Sequence, residues 1–163
     1  MSTTSARSLT ALRISVGCLF LIFAEYKVGM QFTRGGGFQY WINLFLHGGA
    51  YPFVLPVLKS FVLPHATAIA FLVAYGELAI GLALVFGIFV RPASAFGAVY
   101  MLALLFSANY PGNNAPVWQY FGASLEHSVL ALCFGAFALT NPEELWSIVS
   151  LRRRSLLRDN RGS

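Results

Sequence analysis

Five ionisable side chains interrupt otherwise apolar stretches of this sequence: Glu25, Lys27, Glu77, Glu126 and His127. An ionisable group inside a bilayer costs roughly 2.5–3.5 kcal/mol on insertion scales, so each invites a functional reading. Carboxylates and an imidazole set among apolar walls can exchange protons with a bound molecule and hydrogen-bond its polar end. Glu77, Glu126 and His127 are the candidates for that chemistry. Glu25, Lys27, Tyr75, Asn109 and Tyr110 are the candidates for holding a substrate. Structural readings stand beside these. Glu77 would equally serve as a buried clamp between helices, neutral when protonated, and Glu25 and Lys27 could be solvated near an interface. Adjacent polar groups such as Glu126 and His127 are harder to explain as packing. His47 and His65 read as interfacial residues. No metal is expected, because the paired Glu-x-x-His spacing of diiron bundles is missing. Cys18 and Cys133 lie in apolar runs and read as packing residues. No haem, iron–sulfur, dinucleotide or phosphate-loop motif accompanies them, so no intrinsic cofactor is expected.

The elements that must position these groups follow from composition. With 57% hydrophobic and only 10% charged residues, the 163-residue chain has too little polar surface to coat a water-facing globule. Continuous apolar runs over 9–30, 66–90, 92–110 and 118–140 are each about long enough to cross a bilayer as a helix. Their lack of alternation excludes a barrel. The expected fold is an all-α integral membrane bundle of four transmembrane helices within residues 1–140, with Arg91-Pro92 at a tight hairpin between the second and third. The first run reads as a retained anchor, since it continues into Glu25-Tyr26-Lys27 with no small-residue cleavage site. Residues 31–65 hold Gly35-Gly36-Gly37, Pro52, Pro56 and Pro64 among many aromatics, which suggests short interfacial helices on the outer face.

At 1.5 Å per residue, Glu25, Glu77 and Glu126 fall roughly 8, 16 and 12 Å below the outer end of their runs. Three acids from three helices are thus expected at one level, beside Asn109 and Tyr110 at the end of a fourth run. Glu25 and Lys27, two residues apart, point in nearly opposite directions. Glu77 shares a helical face with Ala70, Ala74 and Gly81, and His127 with Ala123, Ala131 and Gly135. Small residues mark close helix contact in membranes, which aims both groups inward.

Charge placement gives the orientation. Arg7, Arg13, Arg91 and the arginines at 152, 153, 154, 158 and 161 fall on one side, against Lys27, Arg34 and Lys59 on the other. The positive-inside rule puts both termini in the cytoplasm. Residues 141–163 begin Asn141-Pro142-Glu143-Glu144, a helix-start signal, and continue as a basic amphipathic tail suited to anionic lipid headgroups. So short a basic patch beside a membrane argues against nucleic acid as a partner.

Two blocks resemble the DoxX/DoxD family of small bacterial and archaeal four-helix membrane proteins. One runs from Arg13 through Gly17-Cys18-Leu19-Phe20-Leu21-Ile22-Phe23-Ala24 to Lys27. The other is Gly76-Glu77-Leu78-Ala79-Ile80-Gly81-Leu82-Ala83-Leu84-Val85-Phe86-Gly87, followed by Arg91 and Ala93. The likeness extends over most of residues 7–140, and the aromatic stretch after the first helix is similar to the DoxD-like branch. Glu77 matches the family's acid in helix 2, and Arg13 and Lys27 its basic positions in helix 1. The resemblance implies a bacterial inner-membrane subunit of quinone-linked oxidation, like the subunits of thiosulfate:quinone oxidoreductase. A quinone would be the substrate in an outer-half pocket, and the lipid bilayer plus other membrane subunits or a homo-oligomer the partners. On that reading Glu77 and Glu126 exchange protons, His127 bonds the headgroup and Lys27 receives an anionic substrate at the mouth. The competing reading is an accessory scaffold of a larger complex, its acids serving as clamps. Transport is a third, weakened by the lack of an inverted repeat or paired broken spans.

Overall fold

The structure, a computed structural model, describes residues 3–140. The amphipathic tail expected over 141–163 lies outside the described residues. Eight α-helices and two π-helical turns make up the described chain, with no strand among the described residues. Helix α1 (Thr3–Val28) spans 26 residues of almost unbroken apolar sequence. It ends before Gly29, whose carbonyl accepts the amides of Phe32 and Thr33 and turns the chain into the short α2 (Met30–Thr33). Helix α3 (Gly37–Leu44) follows Gly36, which has the left-handed φ of 83°. A wide turn over Phe45–Gly49, helix α4 (Leu55–Val57) and a second wide turn over Leu58–Val62 complete the connection to α5. The expected short helices of 31–65 are therefore present, and they pack on the first half of α5.

Helix α5 (Ala66–Phe86, 21 residues) stops at Gly87, a left-handed cap whose amide returns to the Ala83 carbonyl. Helix α6 (Val90–Ser107, 18 residues) starts two residues before the expected boundary. The hairpin turn is thus Gly87–Phe89, and Arg91 and Pro92 already sit in the first turn of α6, where a ring without an amide hydrogen costs nothing. Arg91 Nε donates to the Ala138 carbonyl at 3.2 Å, tying this turn to the end of the last helix.

The run over 118–140 is not one helix. It divides into α7 (Val117–Gly122) and α8 (Leu125–Leu139), the latter only 15 residues. Asn109 bridges the division, which falls just after Gly122. Its Nδ2 donates to the Ala123 carbonyl at 3.1 Å and to Ser124 Oγ at 3.0 Å, so a bond that a continuous helix would make internally is diverted across the fold. By length and hydropathy α1, α5 and α6 can each cross a membrane, and α8 is a shorter apolar helix.

Helix α1 lies along α5 and α6 along α8, with α5 and α6 joined by the hairpin, whereas α1 and α8 meet only glancingly. Close approach is built from glycine. A Cβ on Gly17 would stand 2.9 Å from Leu84 Cβ and 3.0 Å from the Val85 amide nitrogen, so no larger residue fits between α1 and α5. On α6, a Cβ at Gly97 would stand 2.6 Å from the Phe134 ring. Around these contacts Val16, Phe20, Leu84, Val90, Met101 and Phe134 form a core drawn from all four long helices. Arg13 in α1 is fully buried, as are Thr10 in α1 and Ser94 in α6, so it belongs to the bundle interior.

Candidate functional site

The inward face of α1 is set by Val16, Phe20 and Ala24, all buried, and continues one turn on to Lys27. The inward face of α5 is Ala70, Ala74, Glu77 and Gly81, the small-residue stripe read from the sequence. Where the two faces meet, Lys27 Nζ donates to Glu77 Oε1. From α6, Tyr100 Oη donates to the same oxygen at 2.6 Å and lies 3.4 Å from Nζ. Three helices thus share one polar network, with Glu77 only 4% exposed and the Lys27 side chain 20% exposed. The Lys27 ammonium also lies 5.9 Å from the Tyr100 ring centre and 6.0 Å from that of Phe32, within cation–π range.

The network stands at the end of a cleft of about 300 Å³. Phe20, Met101, Leu104 and Leu130 supply its apolar walls, and Phe23 stands at its rim. Glu126 and His127 of α8 complete the lining, with Glu126 Oε1 3.1 Å from His127 Nδ1. The Glu126 side chain is 64% exposed, so it marks the mouth, while His127 is turned further in. Because α1 and α8 scarcely touch, the cleft opens sideways between them. Its lining of apolar walls, an ion pair and an imidazole, with the Tyr100 phenol bonded behind Glu77, is suited to a molecule with an apolar body and polar groups at its edge.

Four of the eight residues singled out in the sequence line this cleft: Lys27, Glu77, Glu126 and His127. The other four do not. Glu25 is exposed, because the buried positions of α1 repeat through Val16, Phe20 and Ala24 and leave residue 25 on the opposite face. Of the three carboxylates expected to meet, two therefore line the same cleft, Glu77 paired with Lys27 and Glu126 with His127. Tyr75 is half exposed and stacks on Phe71 at 6.0 Å, away from the 70–74–77 face. Asn109 has φ 57° and braces the break before α8. Tyr110 pairs its amide with the Gly49 carbonyl at 2.9 Å and its ring with Tyr51 at 4.8 Å, so it closes the end of the fold where α6 stops. The His127 face also differs. Ala123 lies before the break and is exposed, and the buried positions of α8 are Phe134 and Phe137.

Tyr100 was missing from the sequence reading. Its signal is a phenol in the middle of an apolar helix, since a buried tyrosine hydroxyl usually has a hydrogen-bond partner. Where α6 stops, Tyr51 donates to the Tyr120 carbonyl at 3.0 Å, and burial, with Tyr120 and Tyr110 nearby, raises its pKa above the ordinary phenol value. His47 and His65 are spent on the carbonyls of Asn43 and Phe61 within their own turns. No group of three or more His, Cys, Asp or Glu side chains able to hold a metal occurs among the described residues.

No curated protein and no solved structure matches the chain. The DoxX family profile matches residues 8–109, which takes in Lys27, Glu77 and Tyr100 and ends before α7 and α8. With well over half its length covered by that match, the chain belongs to the DoxX family.

Proposed function

We propose that this protein is a bacterial inner-membrane subunit of quinone-linked oxidoreduction, binding a quinone headgroup in the cleft between α1 and α8. One observation carries the reading: a charged and hydrogen-bonded network, Lys27–Glu77–Tyr100, faces an apolar cleft that is open on its side. An isoprenoid chain would leave through the α1–α8 opening into lipid, and the headgroup would meet Lys27 and His127. In this reading α7 and α8 together make a fourth crossing, and both termini lie in the cytoplasm. Reduction of a quinone takes two electrons and two protons. Glu77 and the Glu126–His127 pair are placed to exchange the protons. The electrons come from a cofactor-bearing partner membrane subunit or a small reductant, since the chain carries no redox cofactor motif of its own.

His127→Ala tests this directly, because His127 lies outside the clamp formed by Lys27, Glu77 and Tyr100. The variant is expected to insert normally, bind decylubiquinone at least about tenfold more weakly in nanodiscs, and lose quinone-dependent turnover in membranes. Unchanged binding and turnover would remove the assignment. The same network also supports a scaffold reading, because it joins α1, α5 and α6 in the manner of a clamp. That reading expects the chain to co-migrate with a large complex after gentle extraction and His127→Ala to be silent.

A further inference from the structure

The two oxygens of Glu77 have different fates. Oε1 accepts from both Lys27 and Tyr100, while Oε2 is buried and meets no hydrogen-bond donor among the described residues. The side chain is 4% exposed and lines the cleft. A buried acceptor that stays unmatched is costly, so the cleft favours a ligand that brings a donor to Oε2. Lys27 has the complementary property. An ammonium has three N–H donors, and Glu77 and Tyr100 account for two of them, leaving one for an acceptor in the cleft.

A hydroxyl satisfies both groups at once, donating to Oε2 and accepting from Nζ. A carbonyl can accept from Nζ but leaves Oε2 unmatched. Resting on the quinone-site reading above, we propose that the cleft selects the reduced, hydroquinone form over the quinone, with one ring hydroxyl bridging Glu77 Oε2 and Lys27 Nζ. The ring itself packs on Phe20, Met101 and Leu104, which are indifferent to oxidation state. Selectivity therefore resides in a single carboxylate oxygen.

The test is anaerobic titration of the full chain in nanodiscs with decylubiquinol, decylubiquinone and the dimethyl ether of the quinol, which keeps the ring and tail but has no donor. The quinol is expected to bind about tenfold or more tighter than either of the others. Tyr100→Phe removes a donor to Oε1 and an acceptor for Lys27 Nζ but leaves Oε2 as it is, and is expected to keep that ratio. Glu77→Gln, which places amide hydrogens where an acceptor stood, is expected to bring the ratio close to one. Should Glu77→Gln fail to fold, the wild-type ratio and Tyr100→Phe still decide the question. Equal binding of quinol and quinone, tighter binding of the quinone, or a quinol that binds no better than its ether would overturn the inference and leave the quinone site standing. Failure of all three to bind would overturn both.

Discussion

The two halves of this molecule, called inner and outer after the orientation proposed above, are built on different principles. In the inner half four helices interlock around Val16, Phe20, Leu84 and Phe134, and glycines at 17 and 97 bring backbones and rings into direct contact. In the outer half a single helix, α5, is covered by short helices and wide turns through Phe32, Phe38, Ile42 and Leu58. The inner half resembles a jigsaw in which volume is fixed to a methylene. The outer half is an aromatic cover of short helices, in which Tyr51 meets the rings of Phe53, Phe106, Tyr110 and Tyr120. Lys27, Glu77 and Tyr100 lie at the seam between the two, just beyond Ala70 and Ala74 of the outer cluster and level with the Phe20–Met101 end of the inner one. The polar network thus sits where helix-on-helix packing gives way to packing by short aromatic segments.

The largest expected effect falls on the seam. Lys27→Met leaves the Glu77 carboxylate buried without its cation and should destabilise the fold by about 3–5 kcal/mol, measured by denaturation in mixed micelles. Adding Glu77→Leu should recover most of that loss; a double variant no better than the single one would show that the pair does not hold the halves together. Next in size is Gly17→Leu in the inner half, which must displace Val85 backbone and should cost about 1–3 kcal/mol or prevent assembly. The contrasting change is Gly76→Ala. It adds a Cβ that meets nothing within 4 Å and should gain about 0.5–1 kcal/mol through helix propensity, so similar costs at 17 and 76 would dissolve the distinction drawn above. The smallest effect belongs to the outer end. Tyr51 has a raised pKa in the fold, so its neutral form is favoured there. Its contribution is complete below the ordinary phenol value of about 10 and is lost as pH climbs from there toward the raised value. Alkaline titration followed by near-ultraviolet dichroism should show this loss in the wild type and not in Tyr51→Phe.

Helix positions were legible in the sequence because long apolar runs bounded by Gly, Pro and charge leave few alternatives. The inward aim of Glu77 was legible too, from the alanine and glycine stripe it shares with residues 70, 74 and 81. What pairs with it was not. Lys27 and Glu77 are fifty residues apart, and the offset between α1 and α5 is set by how 29–65 folds over α5, which no local pattern encodes. Depth counted from the ends of apolar runs could not show that Glu25 faces away from the cleft. The break before α8 was hidden for a similar reason. The segment around 123–124 has no proline, and the group that bridges it, Asn109, comes from another part of the chain.

That break has a consequence for the membrane crossing. Fifteen helical residues rise only about 22 Å, against a hydrocarbon thickness of about 30 Å, so α8 alone is too short to cross a bilayer. In the four-crossing reading proposed above, α7 must supply the remaining length, and the bend between the two would then lie in the hydrophobic layer one turn from Glu126.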